Sequence, residues 1–459
     1  MSKKYLFRKE RPYSNPYRVL AMLVVLLGGV FLLRSYDRGE VKPFFDPTPT
    51  PTRTSNSYAM EGQTHFQAGN LDRAIAAYRQ AVETEPNNAG LWAELAQIEA
   101  YSSSLLTTSE RRETRLTEAL EAAEKAVEID PDSSSAHAIR AFVLDWYATY
   151  QEGDDVTDML IEAEKAAQRA LVLDQNNVLA LAYSAEILLD QQKYDQAQQY
   201  IDQALQRGDH LMDVHRVHAG LLETLGAYQS AIAAYERAIE IAPNLTFLYI
   251  RVGVIYRFLG MSAANDTLQM QNYEKALDFF AQAVEKNKQL GIEDPNPYLA
   301  IGKVYSQMGE FFIASRNVER AVQIDPTSQD LYAELGMVYW RARNYEGAIP
   351  ALKCAVKGCT ASESCEVRGC DPATDPPIEI TGIPLRKIDQ ITVVYYYTYG
   401  SVLAGMYRPV GETADYCERS LEVLGEVRSL FSDDPSIMSI VESSEAICES
   451  FGITRSSVP

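Results

Sequence analysis

Small and large apolar residues return along this chain at helical spacing, and the polar residues between them keep the same period. The phrase AIAAYRQAVETEP at residues 74–86 reappears as AIAAYERAIEIAP at residues 231–243, identical at 8 of 13 positions. Aligned on an alanine, a large residue four positions on and a second alanine three beyond, the first alanine falls at 74, 119, 163, 197, 231, 276, 314 and 348. The second falls at Ala81, Ala126, Ala170, Ala204, Ala238, Ala283, Ala321 and Ala355. Residues seven apart share one helical face, and side chains this small let a neighbouring helix approach closely. Another small position precedes each unit, at Gly62, Ala96, Ala141, Ala185, Ala219, Gly253, Gly302 and Gly336. The pattern predicts an all-α fold of paired helices, each with a notch facing its partner. Pro86, Pro131, Pro243 and Pro326 end the second helix in four units, because the residue before proline disfavours the helical region.

Three of the seven steps between units are 34 residues long, and the others are 34 with 11, 10, 11 and 4 added. This array resembles the tetratricopeptide repeat family, whose 34-residue signature is W-x2-L-G-x2-Y…A-x3-F…P. The clearest units are Tyr298, Ile301, Gly302, Tyr305, Ala314, Val318, Ala321 and Pro326, and then Tyr332, Leu335, Gly336, Tyr339, Ala348, Leu352 and Ala355. Eight units cover residues 55–360, and a degenerate ninth with a C-terminal capping helix covers 391–450. The resemblance implies a right-handed α-solenoid whose first helices line a concave groove. On the family's pattern, Phe142, Trp146, Arg216, Phe247, Arg257, Phe258, Lys303, Trp340 and Arg341 face that groove. Family members that clamp a C-terminal carboxylate need Lys and Asn at the fifth and ninth positions of the first helix. Here Ala59, Ala93, Ala138 and Ala182 take the fifth, and Gln63, Gln97, Phe142 and Glu186 the ninth, so no such clamp is present. An aromatic groove with a few arginines suits an apolar or amphipathic peptide or helix of another protein.

Two departures interrupt the array. Insertions of 10 or 11 residues fall between the helices of units two, three and six, and in units two and three they are expected to project together from one edge. Residues 357–390 form a Cys-rich inserted loop, in which IEITGIPL (378–385) alternates like a short hairpin. Cys354, Cys359, Cys365, Cys370, Cys417 and Cys448 are disulfide candidates if the body lies outside the cytoplasm, with zinc or free thiols the alternatives.

The N-terminus stands apart. Residues 1–38 carry a balance of +6, so a chain of net charge -21 leaves -27 for the remainder, and nucleic acid is not an expected partner for so acidic a body. Residues 1–18 read as a basic cytoplasmic tail, 19–34 as a transmembrane signal anchor in contact with the lipid bilayer, and 35–54 as a Pro/Thr-rich stalk. The resulting expectation is a single-pass membrane protein with a cytoplasmic N-terminus and an extracytoplasmic repeat body. No HExxH, GxSxG, P-loop or GxGxxG motif occurs, so no enzyme activity and no cofactor is expected. The function expected is a non-catalytic protein-binding scaffold. Alternatives are a metal-binding or redox accessory using the Cys cluster or His210, His215 and His218, and an accessory to envelope biogenesis or pilus assembly.

Overall fold

A computed structural model describes residues 15–37, 53–149, 154–371, 374–387 and 390–454. The chain divides into two units, residues 1–53 and 54–459. In the first, helix α1 runs Pro16–Asp37. Among the described residues no helix is long and apolar enough to cross a membrane, which overturns the expected single-pass anchor and the localisation built on it. Its uncharged stretch from Val19 to Leu33 is bounded by Arg18 and Arg34. At ~1.5 Å per residue those fifteen residues reach roughly 22 Å of a ~30 Å hydrocarbon core. Most of the tail and the stalk lie outside the described residues.

The second unit is a chain of antiparallel helix pairs. They are α2 (Ser55–Gln67) with α3 (Leu71–Thr84), α4 (Ala89–Ser103) with α5 (Ser109–Ile129), and α6 (Ser134–Ala148) with α7 (Asp154–Leu173). Next come α8 (Val178–Asp190) with α9 (Tyr194–Gly208), α10 (Met212–Thr224) with α11 (Tyr228–Ile241), and α12 (Thr246–Met261) with α13 (Asp266–Leu290). Then α14 (Asn296–Met308) pairs with α15 (Phe311–Ile324), and α16 (Gln329–Arg341) with α17 (Tyr345–Val356). Past the short α18 (Ala361–Arg368), α19 (Thr392–Met406) packs on α20 (Tyr416–Phe431) and α21 (Pro435–Glu449) closes the array. Among the described residues there are helices and one isolated antiparallel bridge, with no strand.

Local chemistry sets the helix boundaries. Asn70, Asn88, Thr108, Ser133, Asn177 and Asn344 each accept a hydrogen bond from the backbone N–H three residues on, satisfying a donor that the first turn leaves unpaired. Helices α3, α5, α11 and α15 each stop two residues before a proline. All sixteen alanines of the repeated pattern are wholly buried. The notch in the first helix receives the large residue that follows the first alanine by four. A Cβ added to Gly62, Gly253, Gly302 or Gly336 would stand 2.4–2.6 Å from Tyr78, Phe280, Val318 or Leu352 respectively. The same fit recurs in the last pair, where Gly400 accommodates Leu424. Ser420 and Val427 hold the alanine positions there, and the Ser420 hydroxyl donates to the Gly400 carbonyl at 2.8 Å.

Two expectations for the interruptions are corrected. Helices α5, α7 and α13 run 21, 20 and 25 residues where α3, α11 and α15 run 14, so the insertions mainly lengthen the second helix. The α4–α5 turn of unit two does not project, while residues 150–153, in the α6–α7 turn of unit three, lie outside the described residues. Asn296 Nδ2 donates to the Leu105 carbonyl at 2.7 Å, while Thr107 Oγ1 and Arg111 NH1 reach Asp325 Oδ2 at 2.6 and 2.8 Å. Likewise Asn244 Nδ2 donates to the Gln67 carbonyl at 2.9 Å, at a turn where Gly69 has φ +76° and a Cβ would fall 2.1 Å from the Asn244 carbonyl oxygen. The superhelix thus returns on itself. In the Cys-rich loop, residues 378–385 form no hairpin; Cys359 and Ile380 exchange backbone hydrogen bonds of 2.9 and 3.0 Å instead. Gly382 lies so close to Val356 that a Cβ would sit 2.4 Å from its carbonyl oxygen, and the Ile383 N–H donates to the Ala355 carbonyl at 2.7 Å, which holds this segment on the end of α17.

Candidate binding cavity on the inner face

The returning superhelix brings aromatic rings from distant pairs together. Tyr101 on α4 stacks on Phe247 of α12 at 5.7 Å between centroids and meets Phe142 and Trp146 of α6 at 5.2 and 5.7 Å. Phe142 stacks in turn on Tyr183 of α8 at 4.7 Å. Arg216, on α10, lies 5.5–5.9 Å from the centres of Tyr101, Phe142 and Trp146. Its guanidinium grips Glu186 with two prongs, NH2 to Oε2 at 2.7 Å, and approaches Asp213. Burial works against its charge, yet the contacts with Glu186, Tyr101 and Asp213 outweigh that penalty and raise its pKa. The Tyr101 hydroxyl donates to Asp213, so three helices are tied through one buried polar network.

Beside this cluster lies a half-open cavity of about 510 Å³. Trp146, Leu189, Val217, Phe247, Ile250 and Val254 give it apolar walls, and Asp145, Glu186, Asp190, Arg216 and Arg251 give it charge. Arg251 is occupied by Glu223 at 3.1 Å, and Trp146 Nε1 donates to Glu186 at 3.2 Å. Asp145 is 1% exposed and its Oδ1 has no hydrogen-bond partner. Burial, then Asp190 and Glu186, hold its carboxyl well above the usual carboxylate range, against the pull of Arg216. Asp190 stands exposed at the rim, and its enclosed side and Glu186 push it up to about 6.

Of the residues expected to face the groove, Phe142, Trp146, Arg216 and Phe247 converge here. Phe142 is wholly buried and Arg216 is 8% exposed, so both serve to build the wall, since their surfaces are spent on neighbouring rings and carboxylates. The other five lie away from the cavity lining. Lys303 pairs with Glu334 at 2.7 Å, and Arg341 donates to Ser306 at 3.0 Å. Phe258 and Trp340 are partly exposed, and Arg257 is half-buried with its pKa lowered by burial. The sequence reading passed over Asp145 and Asp190. A lone acid within the apolar AFVLDWY of α6 was the available signal for Asp145.

Among the described residues no three or more His, Cys, Asp or Glu side chains gather at metal-binding distance. His215 is buried and its Nε2 contacts the Asp209 carbonyl at 2.8 Å, six residues upstream. Trp92 to Pro86, His137 to Pro131, Tyr249 to Pro243 and Tyr332 to Pro326 make the same six-residue contact in other units. His215 thus occupies the pinning position of its repeat. His218 has its pKa lowered, first by burial and then by His215, and His210 belongs to the α9–α10 turn. Cys354 is bonded to Cys359, Cys365 to Cys370 and Cys417 to Cys448.

Residues 56–98 and 184–245 match family models described as tetratricopeptide repeat. These matches support the tetratricopeptide repeat family. The chain is 22% identical over 236 residues to the human "Antiviral innate immune response effector IFIT1", covering 49% of this chain and 48% of that one. It is 22% identical over 207 residues to "Hsp70-Hsp90 organizing protein 2" of Arabidopsis thaliana, covering 39% and 35%. The chain spans less than half the length of each of these tetratricopeptide relatives. Among solved structures, a human IFIT1 dimer with PPP-AAAA superposes with a TM-score of 0.50 at 14% identity, covering 88% of this chain and 92% of that one. A second, with m7Gppp-AAAA, gives 0.51 at 14% identity over 86% and 90%. At such identity the likeness shows the fold, an all-helical tetratricopeptide-like solenoid.

Proposed function

We propose that this chain is a non-catalytic scaffold whose inner face binds a peptide or helix of another protein. The observation that carries the proposal is the half-open cavity walled by successive first helices, with apolar sides beside Asp145 and Asp190, which make no ion pair among the described residues. Tetratricopeptide repeat proteins serve generally as interaction scaffolds without catalysis, as the organizing-protein relative illustrates by name. The human IFIT1 structures hold PPP-AAAA and m7Gppp-AAAA. The -27 balance beyond residue 38 opposes phosphate backbones here and favours a basic, amphipathic protein segment.

Selection of a displayed peptide library on the purified chain tests this. Enriched peptides are expected to combine basic and aromatic or aliphatic residues, and Trp146→Ala and Phe247→Ala, both on the cavity lining, are each expected to weaken their capture while leaving the helical melt cooperative. Unaltered capture by both variants, or enrichment of acidic peptides, overturns the reading.

A further inference from the structure

The cavity holds a charge arrangement more specific than an acidic surface. Of its acids, Glu186 is spent on Arg216, and neither Asp145 nor Asp190 makes an ion pair among the described residues. Asp145 is 1% exposed, lines the cavity, and keeps Oδ1 without a hydrogen-bond partner. Burial holds the Asp145 carboxyl in its protonated form, and a ligand that brings a cation with its own donors offsets the cost of ionising it there. The remaining surface fixes what else the ligand must carry. Trp146 and Phe247 present ring surface, and Ile250 and Val254 present aliphatic surface, so the cation must bring hydrocarbon with it.

We propose that this cavity binds an alkylammonium group, its head at Asp145 and Asp190 and its hydrocarbon stem along Trp146 and Phe247. A hard metal cation is a poor fit, because it takes about six oxygen ligands and no cluster of three ligating side chains is present among the described residues. A guanidinium fork needs two aligned, accessible acceptors, and Asp145, at 1% exposure, offers no open carboxylate edge, which suits the compact ammonium point charge. Such a group can come from a lysine side chain of a bound peptide or from a free amine. The lysine source rests on the scaffold reading above; the free amine does not.

Isothermal calorimetry with 1-aminopentane, N-acetyl-lysine methylamide and 1-pentanol, on the whole chain, separates these sources. Saturable binding of both ammonium compounds and none of the alcohol is the expected result. Asp145→Asn and Asp190→Asn are each expected to weaken it roughly tenfold or more, the size of a lost charge-assisted hydrogen bond. Should Asp145→Asn fail to fold by circular dichroism, the rim variant Asp190→Asn carries the test. Binding that ignores both substitutions, equal uptake of pentanol, or no ammonium binding overturns the proposal. Amine binding with no peptide capture keeps the site and sinks the scaffold reading, and peptide capture indifferent to Asp145→Asn does the reverse.

Discussion

Along the seam between paired helices each contact is written many times; on the inner face each is written once. The seam's sixteen alanines are wholly buried, and the glycine notches at 62, 253, 302 and 336 all receive the residue that follows the first alanine by four. On the inner face, Tyr101, Asp145, Arg216 and Phe247 have no counterparts of the same type and role in other units, and contacts there join residues as far apart as Tyr101 and Phe247. The seam is steric, so a changed notch is felt by one pair and its neighbours. The inner face is electrostatic and shared by several pairs, so one lost charge leaves partners on different helices unmatched.

That difference makes Arg216 the severest place to intervene. Arg216→Met keeps the stem that packs against the rings but strips Glu186 and Asp213 of their cation. Breaking a buried pair from one side costs about 3–5 kcal/mol. Chemical denaturation should show a loss of that order, and adding Glu186→Gln to Arg216→Met should restore part of it. If the double variant is no more stable than the single, the inner face is held by ring packing and the contrast with the seam is lost.

A seam substitution should cost less and stay local. In Gly253→Val the new Cβ meets Phe280 at 2.4 Å, and overpacking of this kind costs about 1–3 kcal/mol. Phe280→Leu in the same chain should relieve it. Hydrogen exchange should find the added opening in α12, α13 and the helices next to them, and uniform loss of protection over the whole array would show that the seam is not modular.

Much of the seam could be read from sequence because the same steric demand selects alanine or glycine eight times over. The ninth pair was legible only as degenerate: Ser420 and Val427 replace its alanines, while its Gly400 notch persists. The four proline stops were equally plain, since each acts on the residue just before it. The inner face was half legible. The family resemblance put Phe142, Trp146, Arg216 and Phe247 on the concave side, but did not give the return of the superhelix, and two of them are buried. That return depends on Asn244 meeting Gln67 and Asn296 meeting Leu105, contacts of 177 and 191 residues' separation that no local period encodes. A tail of basic residues before an apolar run suggested a membrane anchor, yet no described helix is long and apolar enough for one.

The most conditional effect expected, confined to a pH window, concerns Asp294, which orients one of the crossing contacts. Asp294 is 4% exposed and accepts hydrogen bonds from the Asn296 backbone and side chain at 2.9 Å and from Asn287 Nδ2 at 3.2 Å, orienting the amide that reaches Leu105. Burial raises its carboxyl from 3.8 to about 6, the hydrogen bonds from the two asparagines only partly offsetting it. A raised acid pKa means that the folded chain holds a proton which the unfolded chain has already released. The stabilisation is therefore complete below pH ~4, falls as pH rises, and is gone above pH ~6. Asp294→Asn mimics the protonated form, and Asn287 Oδ1, otherwise without a partner, can accept from the new amide after a flip. The stability of the wild type relative to Asp294→Asn should accordingly drop by on the order of 2 kcal/mol between pH 4 and pH 6 and stay level from pH 6 to 8. Taking the difference between the two chains cancels the titration of Asp145 and Asp190, which lie on the cavity and titrate alike in both. A difference that rises with pH would mean that Asp294 is stabilised as the carboxylate, and the crossing contact would then be held by charge, as the inner face is.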